Sequence, residues 1–228
     1  MKKMKKFVIY YTGEIMKKWL IFIFILLIII IIKLNQKKFY KNIELVKNPD
    51  DILTLVNKNN KLPAIYIPNN LVEIPNSMSY NGKLVRFEVL KSFEKLWKIA
   101  KKNGYKITIV SAYRDYDYQA KLFENYVKEK GLKYALNCSA KAGHSEHQTG
   151  LAIDVMGSNG DYNLFEESTE FKWMKGHAHE YGFILRYPKG KEKITGFKYE
   201  PWHYRYVGID IATYLYENNL TLEEYFRK

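Results

Sequence analysis

Cysteine is almost absent from this chain: Cys138 is the single thiol in 228 residues. It cannot close an intrachain disulfide, so the fold must rest on its apolar core, and this length suffices for one globular domain plus appendages. Cys138 itself reads as a small, half-buried residue rather than a nucleophile or soft metal ligand. Internal repeats are missing, which excludes solenoids and propellers. Basic clustering on the body of the chain is missing too. The formal charge is +13, but residues 1–49 hold eleven lysines against Glu14 and Glu44, a net of +9 that leaves +4 for the remainder. Pairs such as Lys101-Lys102 therefore read as solvated faces, and nucleic acid is not an expected partner.

No apolar run exceeds the fourteen residues from Trp19 to Ile32, flanked by Lys17, Lys18 and Lys33. That length suits a signal-peptide core, yet no small-residue cleavage site follows, and the wider window from Met16 to Leu34 adds apolar length for a tilted span with snorkelling lysines. The expectation is a basic cytoplasmic segment over 1–18, a retained membrane anchor over 19–32 (a cleaved signal being the alternative), a linker over 33–49, and a globular domain over 50–228.

Within that domain, Pro49-Asp50-Asp51 predicts a short helix, and residues 83–103 carry apolar positions at helical spacing that stop before Gly104. Lys106 to Ala112 predicts a strand, Asp115 to Lys130 a helix ending at Gly131, Ser168 to Tyr181 a helix, Phe183 to Tyr187 a strand, and Ile209 to Tyr216 a closing helix. Helices and strands do not alternate in βαβ units, so the expected class is α+β with a mostly antiparallel central sheet flanked by helices.

The chemistry concentrates in two segments, Ser145-Glu-His147-Gln-Thr-Gly150-Leu-Ala-Ile-Asp154 and Glu200-Pro-Trp-His203. Two imidazoles, a carboxylate able to join them and a further glutamate make the parts list of a hydrolytic zinc site: three protein ligands, one open position, and a non-ligating base. His147, Asp154 and His203 fit the ligands, and Glu200 the base. Gly150 can turn the chain so that a strand from Leu151 brings Asp154 back beside His147. Glu200 and His203 would face opposite sides of a regular strand, so a bulge at Pro201 is expected to bring them together. His144, His177 and His179 lack a third ligand at plausible spacing and read as surface or supporting residues.

These residues resemble the VanY-type D-alanyl-D-alanine and L,D-carboxypeptidases, zinc peptidases of bacterial peptidoglycan with the patterns S-x-H-x-x-G-x-A-x-D and E-x-x-H. Both patterns are intact, as is a third, S-x-Y-R followed by Gln, at Ser111, Tyr113, Arg114 and Gln119. The likeness runs from about Leu55 to about Val207. It implies zinc ligation by His147, Asp154 and His203, catalysis by Glu200, and binding of the substrate's C-terminal end by Arg114 and Gln119. A guanidinium fork suits either a terminal carboxylate or the oxyanion formed on attack, and both roles stay open for Arg114. Ser145 is placed to add a hydrogen bond, with Arg186 and Tyr187 as further substrate-contact candidates.

The resulting expectation is a zinc carboxypeptidase that removes D-alanine from peptidoglycan stem peptides outside the cytoplasm. Its rivals are a cross-link endopeptidase and a catalytically silent wall-binding module; an intact Glu200 speaks against the second.

Overall fold

The computed structural model describes residues 16–27, 39–80, 82–158 and 160–227. Two compact units separate, Met1–Asn42 and Ile43–Lys228. In the first, residues 16–27 form a helix, α1, with every side chain exposed. No helix among the described residues is long and apolar enough to cross a membrane. Residues 1–15, and 28–32 of the expected anchor, lie outside the described residues.

The second unit is α+β. Short strands β1 (Glu44–Leu45) and β2 (Asn60–Lys61) pair in parallel, and β3 (Leu71–Glu73) pairs antiparallel with β4 (Leu84–Arg86). Helix α2 (Phe87–Lys102) follows directly. The start of the stretch expected to be wholly helical is thus a strand, because Leu84 to Arg86 are committed to the β3 ladder. After β5 (Thr108–Ser111) come α3 (Tyr116–Lys130), capped by the Asp115 carboxylate, and α4 (Leu132–Cys138). Then come β6 (Ala152–Met156), α5 (Thr169–His177), β7 (Phe183–Leu185), α6 (Glu192–Thr195), β8 (His203–Tyr206), α7 (Ile209–Glu217) and α8 (Leu222–Tyr225). The helix expected from Ser168 forms as α5, with Ser168 as its cap, but it tightens to a 3-10 turn from Ala178 and ends at left-handed Gly182. Pro49 to Leu53 form turns, not a helix.

The main sheet has the order β5-β6-β8-β7 with every pairing antiparallel. Side chains alternate across it. Ile153 and Val155 of β6 and Tyr204 of β8 enter a core closed by the buried stripe of α2, Val89, Leu90, Phe93 and Leu96. Each such fully buried aliphatic or aromatic side chain contributes about 1.5–3 kcal/mol. The opposite face receives Asp154 from β6, and His203 and Arg205 from β8. All are buried, so β6 is covered on both sides. A half-polar face buried inside the molecule is the position from which a site can be built.

Candidate metal centre and active site

Gly150 makes the first local decision. It adopts φ +67°, ending a 3-10 turn (Glu146–Thr149) and turning the chain into β6. The turn puts His147 beside Asp154, with Nε2 3.3 Å from Oδ2. The His147 ring is fixed from behind, its Nδ1 2.7 Å from the Ala112 carbonyl. A carbonyl can only accept, so Nδ1 carries the proton and the Nε2 lone pair faces the site. The same loops are joined again where the Arg114 amide donates to the His147 carbonyl at 3.2 Å.

Asp154 and His203 are register partners between β6 and β8, with Oδ1 3.2 Å from Nδ1. One donor atom from each of His147, Asp154 and His203 lies within 4.8 Å of the others, and all three residues are buried. Glu200 joins by a different device from the one expected. Residues 201–202 are a turn rather than a bulged strand, and the His203 amide donates to the Glu200 carbonyl at 3.2 Å. Pro201 has no N–H to give a ladder, so β8 begins only at His203 and the three-residue spacing is spanned by a turn. Glu200 Oε2 consequently lies 3.6 Å from His203 Nδ1.

Electrostatics sort the groups. Burial pushes the Glu200 carboxyl up to about 7, against the pull of His203. Burial, aided by the Arg114 charge, lowers the His147 imidazole to about 4. For His203 burial acts the same way, but Asp154 and Glu146 outweigh it and raise the imidazole to about 9. Burial would also raise Asp154, yet the two imidazoles hold it well below the usual carboxylate range.

The site floors a cavity of about 590 Å³ whose lining includes Ser111, Arg114, Ser145, His147, Asp154, Tyr187, Glu200 and His203. Arg114 Nη1 donates to Ser111 Oγ at 3.0 Å and stands 3.7 Å from Asp154 Oδ2. Tyr187 packs beside His203 with ring centroids 4.8 Å apart. Gln119 does not line the cavity; its amide donates to the Ala140 carbonyl at 2.7 Å, bracing a segment that does. Arg186, expected among the substrate contacts, lies elsewhere. Its guanidinium is fully buried and spent on Glu146 (2.7 Å) and Glu223 (2.8 and 2.7 Å), leaving no fork to offer a substrate. His144 is buried against the Asn57 carbonyl, while His177 stacks on Trp173 and His179 on Tyr216, all clear of the ligand cluster.

Sequence reasoning missed two features. One is the aromatic wall of the cavity, including Tyr118, Tyr126, Tyr134, Phe197, Tyr199 and Trp202, drawn from α3, α4 and the segment before β8. The other is the buried set Glu146, Arg205 and Glu223. Arg205 could have been found, since it sits two residues from His203 on a strand and must share its face.

Comparison with known proteins identifies the family. A family model described as VanY, D-alanyl-D-alanine carboxypeptidase, matches residues 82–209. YodJ of Bacillus subtilis (strain 168), a protein named for carboxypeptidase activity, is 43% identical over 201 residues, 85% of this chain and 74% of its own length. The solved structure of the LdcB LD-carboxypeptidase, described as revealing the basis of peptidoglycan recognition, superposes with a TM-score of 0.77 at 44% identity, covering 82% of this chain and 91% of that one. A point mutant of the vancomycin resistance D,D-pentapeptidase VanY from a VanB-type cassette, solved with Zn(II), gives 0.66 at 35% identity over 76% of this chain and 98% of its own. With both motifs converging on one buried cluster and most of the chain aligned, this protein belongs to the VanY family of D-alanyl-D-alanine carboxypeptidases.

Proposed function

We propose that this chain is a zinc-dependent carboxypeptidase that removes the C-terminal D-alanine from peptidoglycan stem peptides, with His147, Asp154 and His203 holding the metal. One observation carries the reading. His147 Nε2 and Asp154 Oδ1 are buried without hydrogen-bond partners, and one donor atom each of His147, Asp154 and His203 lies within 4.8 Å of the others. Buried polar atoms are rarely left unpaired, and a cation among them satisfies all at once. Two imidazoles and one carboxylate are a donor set suited to zinc with an open position. A zinc ion there supplies Lewis acidity toward a scissile carbonyl and lowers the pKa of water toward neutrality.

The chain's own groups do the rest. Glu200, poised near neutrality by burial, accepts the proton of the attacking water and passes it to the leaving amine. Arg114, oriented by Ser111 at the cavity wall, pairs with the substrate carboxylate or the developing oxyanion. Ser145 and Tyr187 border the same space, while Gln119 acts on the substrate end through the wall it braces. Burial of His147, Asp154, Glu200 and His203 strengthens the charge contacts among them.

The catalytic unit acts outside the cytoplasm, where stem peptides are exposed. We read residues 19–32 as its membrane anchor, with 1–18 on the cytoplasmic side and 33–49 as the tether to 50–228. This is supported by the lysine-rich flank and by the exposure of an apolar helix at 16–27.

The test is incubation of the protein with zinc and defined stems. Release of D-alanine from a pentapeptide indicates D,D-activity and from a tetrapeptide L,D-activity. Cleavage inside a cross-linked stem with intact termini makes it an endopeptidase, and no turnover of any stem makes it a wall-binding module.

A further inference from the structure

We propose that Glu146 is the positioning residue of His203, and that Glu223 of α8 holds it in place through Arg186, so that α8 braces the metal centre. This rests on the zinc reading above. The Glu146 side chain is fully buried, and its Oε1 accepts from Arg186 Nε at 2.7 Å and from Arg205 Nη1 at 2.8 Å. The other oxygen, Oε2, has no hydrogen-bond partner and lies 3.5 Å from His203 Nε2, which has none either. The opposite ring nitrogen, Nδ1, faces Asp154 and Glu200. His203 thus has one nitrogen in the ligand cluster and the other aimed at a buried carboxylate. When Nδ1 gives its lone pair to a cation, a neutral imidazole carries its proton on Nε2, and that proton points at Glu146. His147 is backed in the same way by the Ala112 carbonyl. A carboxylate behind the ring fixes its orientation and raises its basicity as a ligand.

The carboxylate is itself anchored. Both terminal nitrogens of Arg186 donate to Glu223, at 2.8 and 2.7 Å. Glu223 sits in the first turn of α8, whose start is locked by a reciprocal capping box between Thr221 and Glu224. Two carboxylates and two guanidiniums balance in charge. A buried ion cluster of this kind is weak evidence for stability, because apolar side chains of equal volume would often serve better. What it supplies is direction: both guanidiniums bind Oε1 and leave Oε2 for His203. Glu223 lies beyond the segment that the family model matches.

The experiment uses the full chain in detergent, with ¹⁵N-labelled histidine and zinc affinity measured by chelator competition. In the zinc-loaded wild type, His203 Nε2 should be protonated and its proton slow to exchange with solvent. Glu146→Gln should bind zinc about 10- to 100-fold more weakly, and Glu223→Gln should weaken it by a smaller factor with Glu146 still present. An unprotonated His203 Nε2, or zinc affinities within about twofold of wild type in both folded variants, overturns the proposal. Should Glu146→Gln fail to fold, the wild-type spectrum and Glu223→Gln decide. A wild type that takes up no zinc overturns the metal reading instead.

Discussion

Asp154 and His203 are direct cross-strand partners in the antiparallel pairing of β6 with β8, and their side chains leave the same face of the sheet with Oδ1 3.2 Å from Nδ1. The register of one strand pair therefore sets the distance between two proposed ligands. A slip of one residue would send Asp154 into the core and Ile153 into the site.

Purified full-length protein should bind about one zinc per chain, and His147→Ala, Asp154→Ala and His203→Ala should each abolish stoichiometric binding, because each leaves two protein ligands where a catalytic zinc needs three. Metal analysis after dialysis checks this. Full occupancy in all three variants would refute the ligand assignment.

Glu200→Gln should keep its zinc and lose roughly 10²- to 10⁴-fold in kcat, since the amide preserves shape but cannot accept a proton. Paired metal and rate measurements separate the roles: release of zinc on this substitution would make Glu200 a ligand.

Activity should fall on the acid side of neutrality. Burial raises the Glu200 carboxyl to about 7, so the fraction of carboxylate able to act as a base drops as pH falls through that value. A nearby cation favours the ionised form and moves the limb lower. The pH profile of kcat/KM should therefore show an acid limb at or below about 7. A limb centred well above 7 would contradict Glu200 as the base.

If Arg114 holds the terminal carboxylate, amidating the substrate should weaken the wild type strongly, because the half-buried guanidinium loses a charged partner. Arg114→Ala should be poor on the free acid and discriminate little further against the amide. The four kcat/KM values give the coupling directly. If Arg114→Ala rejects the amide as strongly as wild type does, Arg114 serves the oxyanion instead.

Gly150→Ala should destabilise the protein. The position has φ +67°, and a Cβ there would meet Leu71 Cδ2 at 2.9 Å and Arg86 Cγ at 3.1 Å. The left-handed backbone alone costs roughly 1–2 kcal/mol for a side-chain-bearing residue, before Leu71 shifts. A denaturation midpoint equal to that of wild type would show that this turn tolerates a side chain.

The sequence by itself determined the α+β class, the helices over α2, α3, α5 and α7, and the ligand-and-base parts list, because these depend on periodicity, caps and residue chemistry within short windows. Asp115, Gly131 and Ser168 mark helix ends through interactions with their own neighbours, which local sequence can show. Tertiary structure alone decided that Leu84 to Arg86 would be a strand, since a partner at β3 outweighs helical spacing. It also decided that Glu200 reaches His203 by a turn, and that Arg186 serves Glu146 and Glu223 rather than a substrate. An arginine carries the same charge in a cavity wall as in a sealed ion cluster. Which of the two it occupies depends on carboxylates that lie far away in the chain and meet it only after the sheet and α8 have closed.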